Sequence, residues 1–207
     1  MVWIKKKDVV IATFLSAFLF LLFCYLSSGY ELIVTFALGI VFAYSIFIAI
    51  YRRKIERIEP MQILPLYFGV LAWQFIHFSE EFSTGFATRF PLIYGGEPYT
   101  AQFFVVLNML SYSCFALAAI FAFIRRKPVL LIPVLFFTAY GALGNAIAHT
   151  TWSLYFGEYF PGLYTAQLYW VFAPLLLRKL TGNGKVTLLL IIPYAVFLPI
   201  ALIAALV

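Results

Sequence analysis

The chain has 207 residues, of which 65% are hydrophobic and 11% charged, and its mean hydropathy is +1.01. A soluble domain of this length cannot bury so much apolar surface, so the composition excludes that class and predicts a membrane protein. The net charge of +6 comes from short basic clusters between apolar segments, a pattern that reports membrane orientation and argues against a nucleic-acid partner. Cys24 and Cys114 lie inside apolar runs, which is typical of packing residues and not of a disulfide framework.

Seven apolar segments predict an all-α fold, a polytopic membrane protein with about seven transmembrane helices in a single transmembrane domain, residues 1–207. The first segment is too long for a signal peptide and lacks a small-residue cleavage site, so we interpret it as a helix. The predicted segments cover residues 9–28, 30–51, 61–78, 101–124, 129–149, 165–178 and 186–206.

Basic residues occupy every second loop of this predicted topology. They precede the first segment and recur after the second, fourth and sixth, whereas the alternate loops contain a single basic residue, Arg89. By the positive-inside rule, we expect a cytoplasmic N-terminus and an extracytoplasmic C-terminus. We expect the plasma membrane as the location.

The third segment ends in a cluster of ionisable residues, His77, Glu80 and Glu81. On an α-helix, Glu80 lies about 60° to one side of His77 and Glu81 about 40° to the other. The pattern therefore predicts that all three side chains point into one pocket near the extracytoplasmic face. In the alternative, the helix stops at Phe78, His77 interacts with the helix dipole and both glutamates are solvated.

The fifth segment ends with the other histidine of the chain, His149, four residues after Asn145. Residues four apart share one face of a helix. Because the third and fifth segments run in the same direction, we expect both histidines at one depth of the membrane.

Matching landmarks predict an internal repeat with units 51–124 and 124–180. "YRRK" and "IRRK" each open a proline-containing segment that ends in a histidine, 23 or 22 residues after the lysine. "YTAQ" then opens the next segment in both units. Helices three and four and helices five and six are predicted as two parallel copies of one hairpin. The repeated polar residues, which we expect to flank the histidines and bind substrate, are Tyr99, Gln102, Tyr164 and Gln167.

The sequence His77-Phe78-Ser79-Glu80-Glu81 resembles the His-x-x-Glu-Glu signature of the HXXEE family of integral membrane proteins. "NAIAH" at 145–149 and "YFPGLYTA" at 159–166 are similar to later landmarks of that family. The likeness covers about residues 65 to 180. It implies a multi-spanning helical protein with these polar residues as its signature, and no settled activity.

Clustered ionisable groups at membrane depth are a functional hypothesis by default, because placing them there is costly. Two histidines and a carboxylate are typical ligands of catalytic zinc and of non-haem iron. We therefore expect zinc or iron, with His77, Glu81 and His149 as metal ligands. The expected catalytic residues are Glu81 as a ligand or base, Glu80 as the complementary acid or base, and Asn145 as an orienting donor.

The sequence thus predicts a membrane-embedded, metal-dependent, hydrolase-type enzyme that acts on a lipid or lipid-linked substrate. One alternative is a metal-free acid–base lipid isomerase, hydratase or cyclase, because a desolvated glutamate and a histidine can transfer protons near neutral pH. The other is a non-enzymatic lipid-binding or transport protein. Polar residues that gather at helix ends, away from the bilayer centre, argue against transport.

Overall fold

The fold is built from helices that follow the apolar segments of the sequence. A computed structural model describes residues 3–56 and 58–207; Arg57, part of the basic loop after the second predicted segment, lies outside them. The described helices are α1 (Lys6–Leu26), α2 (Ile33–Arg52), α3 (Pro60–Ser83), α4 (Phe86–Leu92), α5 (Ala101–Phe123), α6 (Pro128–Phe156), α7 (Leu163–Ala166), α8 (Tyr169–Thr181) and α9 (Gly184–Ala204).

Six of these helices, α1, α2, α3, α5, α6 and α9, are long and apolar enough to cross a membrane. The all-α polytopic fold is therefore confirmed, and the chain has the character of an integral membrane protein. The remaining predicted segment, 165–178, is also helical, but it is divided into the short α7 and the longer α8 by a turn at Gln167 and Leu168.

Helix α6 forms the centre of the bundle. In its most apolar stretch 78% of the residues are buried, compared with 11% in α1. It contains a π-helical segment, Phe137–Gly144, immediately before the α-helical turn that carries Asn145 and His149. The helix that supplies one histidine is thus the most enclosed of the bundle, so whatever this histidine does takes place away from bulk lipid and water.

Two helices run further than the sequence predicts. Helix α3 continues past Phe78 to Ser83, and α6 continues past His149 to Phe156. Each ends where a glycine adopts the left-handed conformation, Gly85 with φ 89° and Gly157 with φ 69°, since glycine tolerates that conformation at little cost. The alternative of glutamates in a loop after Phe78 is therefore wrong: Glu80 and Glu81 are helical residues.

The loops segregate to two ends of the bundle. At one end, which we call the site end, the amide of Tyr30 donates to the carbonyl of Tyr94 at 3.0 Å, and the amide of Val207 donates to Ile93 at 3.2 Å. At the other end, basic residues from the N-terminal segment and from the loop between α5 and α6 line a common cavity; they are Lys5, Lys7, Arg126 and Lys127. The predicted alternation of basic and non-basic loops thus corresponds to two opposite ends.

Both predicted repeat units consist of helices joined at the site end, α3 to α5 and α6 to α7 and α8. Their connecting segments differ, because the first contains the short helix α4 and the second does not. The duplication itself stays a prediction.

Candidate metal centre

Three side chains from two helices meet at the site end. The Oε1 atom of Glu81 lies 3.3 Å from Nε2 of His77 and 3.2 Å from Nε2 of His149. One ligand atom from each residue can be chosen so that all three lie within 4.8 Å of one another. His77 and His149 are fully buried and Glu81 is 5% exposed. The predicted trio of His77, Glu81 and His149 is thus brought together in a site shielded from solvent.

The two Nε2 atoms are close to the carboxylate without being hydrogen-bonded to it. Neither has a hydrogen-bond partner within residues 3–56 and 58–207, because an N–H on either ring would not point at the Glu81 oxygen. A buried polar atom without a partner costs free energy. Two such atoms beside one carboxylate indicate that all three groups are arranged around a point that none of them occupies.

The distances fit a metal at that point. In a tetrahedral zinc site with ligand bonds of about 2.0–2.1 Å, neighbouring ligand atoms lie about 3.3 Å apart. The distances of 3.2 and 3.3 Å from Glu81 Oε1 to the two nitrogens match this edge length. The donor set, two imidazole nitrogens and one carboxylate oxygen, also suits zinc or ferrous iron.

The other ring nitrogen of His77 contacts a polar relay. His77 Nδ1 lies 2.8 Å from the hydroxyl oxygen of Thr165, which in turn donates to Oε2 of Glu80. Because the Thr165 hydroxyl gives its single proton to Glu80, it accepts one from Nδ1 of His77. This assigns the Nδ1–H tautomer to His77, so its Nε2 atom carries a lone pair and no proton. Histidines that bind metals typically donate their other N–H in this way.

Glu80 does not point into the pocket with His77 and Glu81, contrary to the sequence prediction. Its carboxylate accepts hydrogen bonds from the Tyr159 hydroxyl at 2.7 Å and from the amides of Tyr164 and Thr165 at 3.0 and 2.8 Å. The Thr165 hydroxyl is a further donor. The donors of the 159–165 segment hold the carboxylate away from Glu81, against the same Thr165 hydroxyl that contacts His77. Burial and the adjacent Glu80 carboxylate raise the pKa of Tyr159, so its phenol remains a donor.

A tight loop covers His149. Gly162, with φ 90°, approaches so closely that an added Cβ would lie 2.5 Å from Cε1 of His149 and 2.9 Å from Cγ of Glu81. Only glycine satisfies both the backbone conformation and the space at this position. Aromatic rings complete the enclosure, with Trp152 at 5.2 Å and Phe86 at 5.4 Å from the imidazole centroid. The site therefore excludes bulk water on the side of His149.

Arg89 on α4 contacts three residues of the loop that covers His149, namely Glu158, Tyr159 and Phe160. Its guanidinium donates to the carbonyl of Tyr159 at 3.1 Å, forms an ion pair with Glu158, and lies 4.7 Å from the ring centroid of Phe160. Phe160 is fully buried, and its ring lies 4.8 Å from that of Trp152. Arg89 thus connects the segment after α3 to the loop that covers His149 and Glu81.

A cavity adjoins the cluster on the side of Glu81. The cavity volume is about 60 Å³, whereas a single water needs about 10–15 Å³. Glu81 is the cluster member that lines it. The walls are mostly aromatic and aliphatic side chains from α2, α3, α4, α5 and α6, including Phe36, Phe86, Phe104, Leu107, Phe115, Phe136 and Phe137.

The other predicted site residues are dispersed. Asn145 lines the cavity and donates to the carbonyl of Gly141 at 3.0 Å, so it does not orient either histidine. Tyr99 also lines the cavity, and its hydroxyl donates to the buried Glu31 at 3.1 Å. Burial and Glu31 raise the pKa of Tyr99. Gln102 faces an external groove on α5, and Gln167 donates to Thr150.

The two predicted tyrosine contacts thus differ: Tyr99 faces the cavity, whereas Tyr164 is 72% exposed and stacks on Tyr159. Sequence reasoning also missed the roles of three residues, namely Thr165, Gly162 and Gln74. The hydroxyl within the "YTAQ" segment was visible as a polar atom, but its partner comes from 85 residues earlier. Gln74 lies one helical turn before His77 and could have been noticed by that spacing.

Comparisons with known proteins add no relative. No family profile, curated protein sequence or solved structure matches the chain. The chemistry of the site is therefore the guide to function.

Proposed function

We propose that this protein is an integral-membrane, metal-dependent enzyme of the hydrolase type that acts on a lipid or lipid-linked substrate. The observation that carries the proposal is the convergence of two unpartnered imidazole nitrogens on one oxygen of Glu81 at 3.2 and 3.3 Å, in a buried site. With that geometry a single proton cannot form a hydrogen bond from both nitrogens to the Glu81 oxygen. One divalent cation can be bound by both nitrogens and the oxygen together.

In this proposal His77, His149 and Glu81 hold zinc or iron. The ion supplies Lewis-acid activation of water or of a substrate carbonyl. Glu81 lines the cavity and is the ligand nearest to an incoming substrate. Glu80 and Thr165 are positioning residues, because they act on the metal site only through the His77 ring.

The lipid character of the substrate is supported by the cavity. Aromatic and aliphatic side chains form most of its lining, and Glu81 is the charged residue among the lining residues. A polar or ionic substrate would lose its hydration there without compensating contacts. A substrate with an apolar body and a reactive polar group next to Glu81 fits this distribution.

The side of the membrane follows from charge. Lysine and arginine clusters lie at the end opposite the site, and the positive-inside rule assigns such an end to the cytoplasm. The proposal therefore places the reaction at the extracytoplasmic side of the plasma membrane, with the N-terminus in the cytoplasm and the C-terminus outside.

The test is the metal content of protein purified in detergent without chelators. Mass spectrometry on the wild type should find close to one zinc or iron per chain, with near-complete loss in His77→Ala and in His149→Ala. Glu97→Gln is the matched control, because it removes an exposed carboxylate at the same end of the bundle and should leave the metal content unchanged. Metal-free wild-type protein after supplementation with zinc or iron would refute the proposal.

Activity is tested with the metal-loaded protein in liposomes made from a natural lipid extract. Release of fatty acid or head group, followed by mass spectrometry, should stop when a chelator removes the ion and resume when the ion is restored. An activity that survives complete metal removal would favour the second candidate, a metal-free acid–base lipid isomerase, hydratase or cyclase. The aromatic lining of the cavity is the observation that favours it, since π faces stabilise a cation.

A further inference from the structure

We propose that the cavity beside Glu81 binds a single hydrocarbon chain, drawn from the leaflet at the site end, with the chain's polar linkage held next to Glu81. The inference rests on the proposed function for what happens at that linkage. The inference adds the class of substrate, which is a lipid that inserts one hydrocarbon chain between the helices. The alternative is a lipid that keeps its chains in the bilayer and brings only its head group to the site.

The length of the cavity corresponds to one leaflet. Its wall on α5 runs from Phe104 to Phe115, a rise of about 16 Å along the helix axis. Half of a hydrocarbon core is about 15 Å thick. On α6 the wall runs from Asn145 back to Phe136, so both helices place the apolar end of the cavity towards the bilayer centre.

The width admits one chain. The cavity volume is about 60 Å³. Spread over the length of one leaflet, this volume gives a cavity of small cross-section. Aromatic rings narrow it at the inner end, where Phe115 lies 5.9 Å from Phe136 and 5.4 Å from Phe137 between ring centroids. A two-chain lipid could therefore enter with one of its chains only.

Polar residues in the wall do not contradict an apolar occupant, because their donors are used on protein groups. The Tyr169 hydroxyl donates to Gln74, Gln74 donates to Tyr112, and Tyr112 donates to Asn108, at 2.6, 3.1 and 2.9 Å. Ser111 donates to the carbonyl of Leu107. The surface that the wall presents to the cavity is therefore mainly apolar. The Glu81 carboxylate makes the outer end of the cavity polar, in contrast to the inner end.

Two serines on α5 provide a matched pair for a test. Ser111 lines the cavity, whereas Ser113, two residues on, is exposed on the outer surface. Both hydroxyls donate at 2.8 Å to the carbonyl four residues earlier. Replacing either serine by tryptophan removes the same hydrogen bond, but only Ser111→Trp fills the cavity.

The probe is a lysophosphatidylcholine whose palmitoyl chain carries a diazirine, photolysed with metal-loaded protein in detergent micelles. In the wild type and in Ser113→Trp, mass spectrometry of peptides should locate the adducts at Phe115, Phe136 and Phe137. Those adducts should disappear in Ser111→Trp while its metal content stays at the wild-type level. Ser111→Leu, a smaller obstruction, decides the question if Ser111→Trp does not fold, and should lose most of the labelling.

Two outcomes overturn the inference. One is labelling confined to bilayer-facing residues such as Leu110 and Leu117, which are 62% and 56% exposed. The other is labelling at Phe115 and Phe136 that Ser111→Trp and Ser111→Leu leave unchanged. Metal content is measured on the same samples, so a wild type without metal refutes the proposed function alone, and labelling still reports on the chain site.

Discussion

Glu80 and Glu81 are adjacent in the sequence but belong to two different regions of the molecule. Glu81 is buried against two imidazole rings whose Nε2 atoms have no hydrogen-bond partner among the described residues. Glu80, about 100° further round the helix, accepts four hydrogen bonds from Tyr159, Tyr164 and Thr165. Hydrogen-bond donors saturate one carboxylate and leave the other available to a cation.

One helix turn thus carries two carboxylates in different settings. Under the proposed function, a bound cation compensates the burial of Glu81, and Glu80 orients His77 through Thr165. Metal sites depend on such outer partners almost as much as on the ligands themselves. The two residues should therefore respond differently to the same isosteric change.

The largest expected effect comes from that change. Glu81→Gln removes the anionic ligand and should abolish metal binding, whereas Glu80→Gln should weaken it by about 10- to 100-fold, the usual cost of losing an outer partner. Titration of metal-free protein with zinc, read by competition with a chromogenic chelator, measures both. Equal affinities for the two variants would show that the two regions do not differ in the way described.

The next effect comes from the loop. Gly162→Ala should strongly reduce metal affinity, since the new Cβ must displace His149 or Glu81. Gly157→Ala is the control: its φ of 69° carries a similar strain of about 1–2 kcal/mol, but an added Cβ there meets nothing within 4 Å. Thermal unfolding in detergent should show comparable destabilisation of both variants, with metal loss only for Gly162→Ala. Metal loss in both would mean that strain, not contact, disturbs the site.

The sequence predicts the position of a site residue correctly where the spacing and direction of the helices determine it. Helical spacing brought His77 and Glu81 to one face, and the shared direction of α3 and α6 brought His149 to the same level. Helical spacing alone does not place Glu80 correctly, because four donors from the segment 159–165 hold its carboxylate on a face about 100° from that of Glu81. Asn145 is expected beside the histidines, but its side chain donates to the carbonyl of Gly141, four residues earlier in its own helix, a local contact that competes with any partner on another helix.

A smaller effect is expected in the relay, and the repeated "YTAQ" segment offers its control. Thr165→Val removes the hydroxyl between His77 and Glu80 and should lower metal affinity by about 10-fold or somewhat more, whereas Thr165→Ser should retain it. Thr100→Val alters the equivalent residue of the other segment, where the hydroxyl caps α5 by accepting from the amide of Phe103. That variant should lose about 0.5–2 kcal/mol of stability at unchanged affinity. Loss of affinity in Thr165→Ser as well would argue against a role for the hydroxyl.

The smallest expected effect concerns the fastening of the loop by Arg89. Its ion pair with Glu158 is largely exposed and worth about 0–1 kcal/mol, and its position over Phe160 adds about 0.5–1 kcal/mol. Arg89→Gln removes both and should speed the release of zinc to a chelator by up to about 10-fold, the factor equivalent to 1.4 kcal/mol. Glu158→Gln removes the ion pair alone, so it should accelerate release less. If the two variants release zinc at equal rates, the contacts of Arg89 with Phe160 and the Tyr159 carbonyl contribute nothing beyond the ion pair with Glu158.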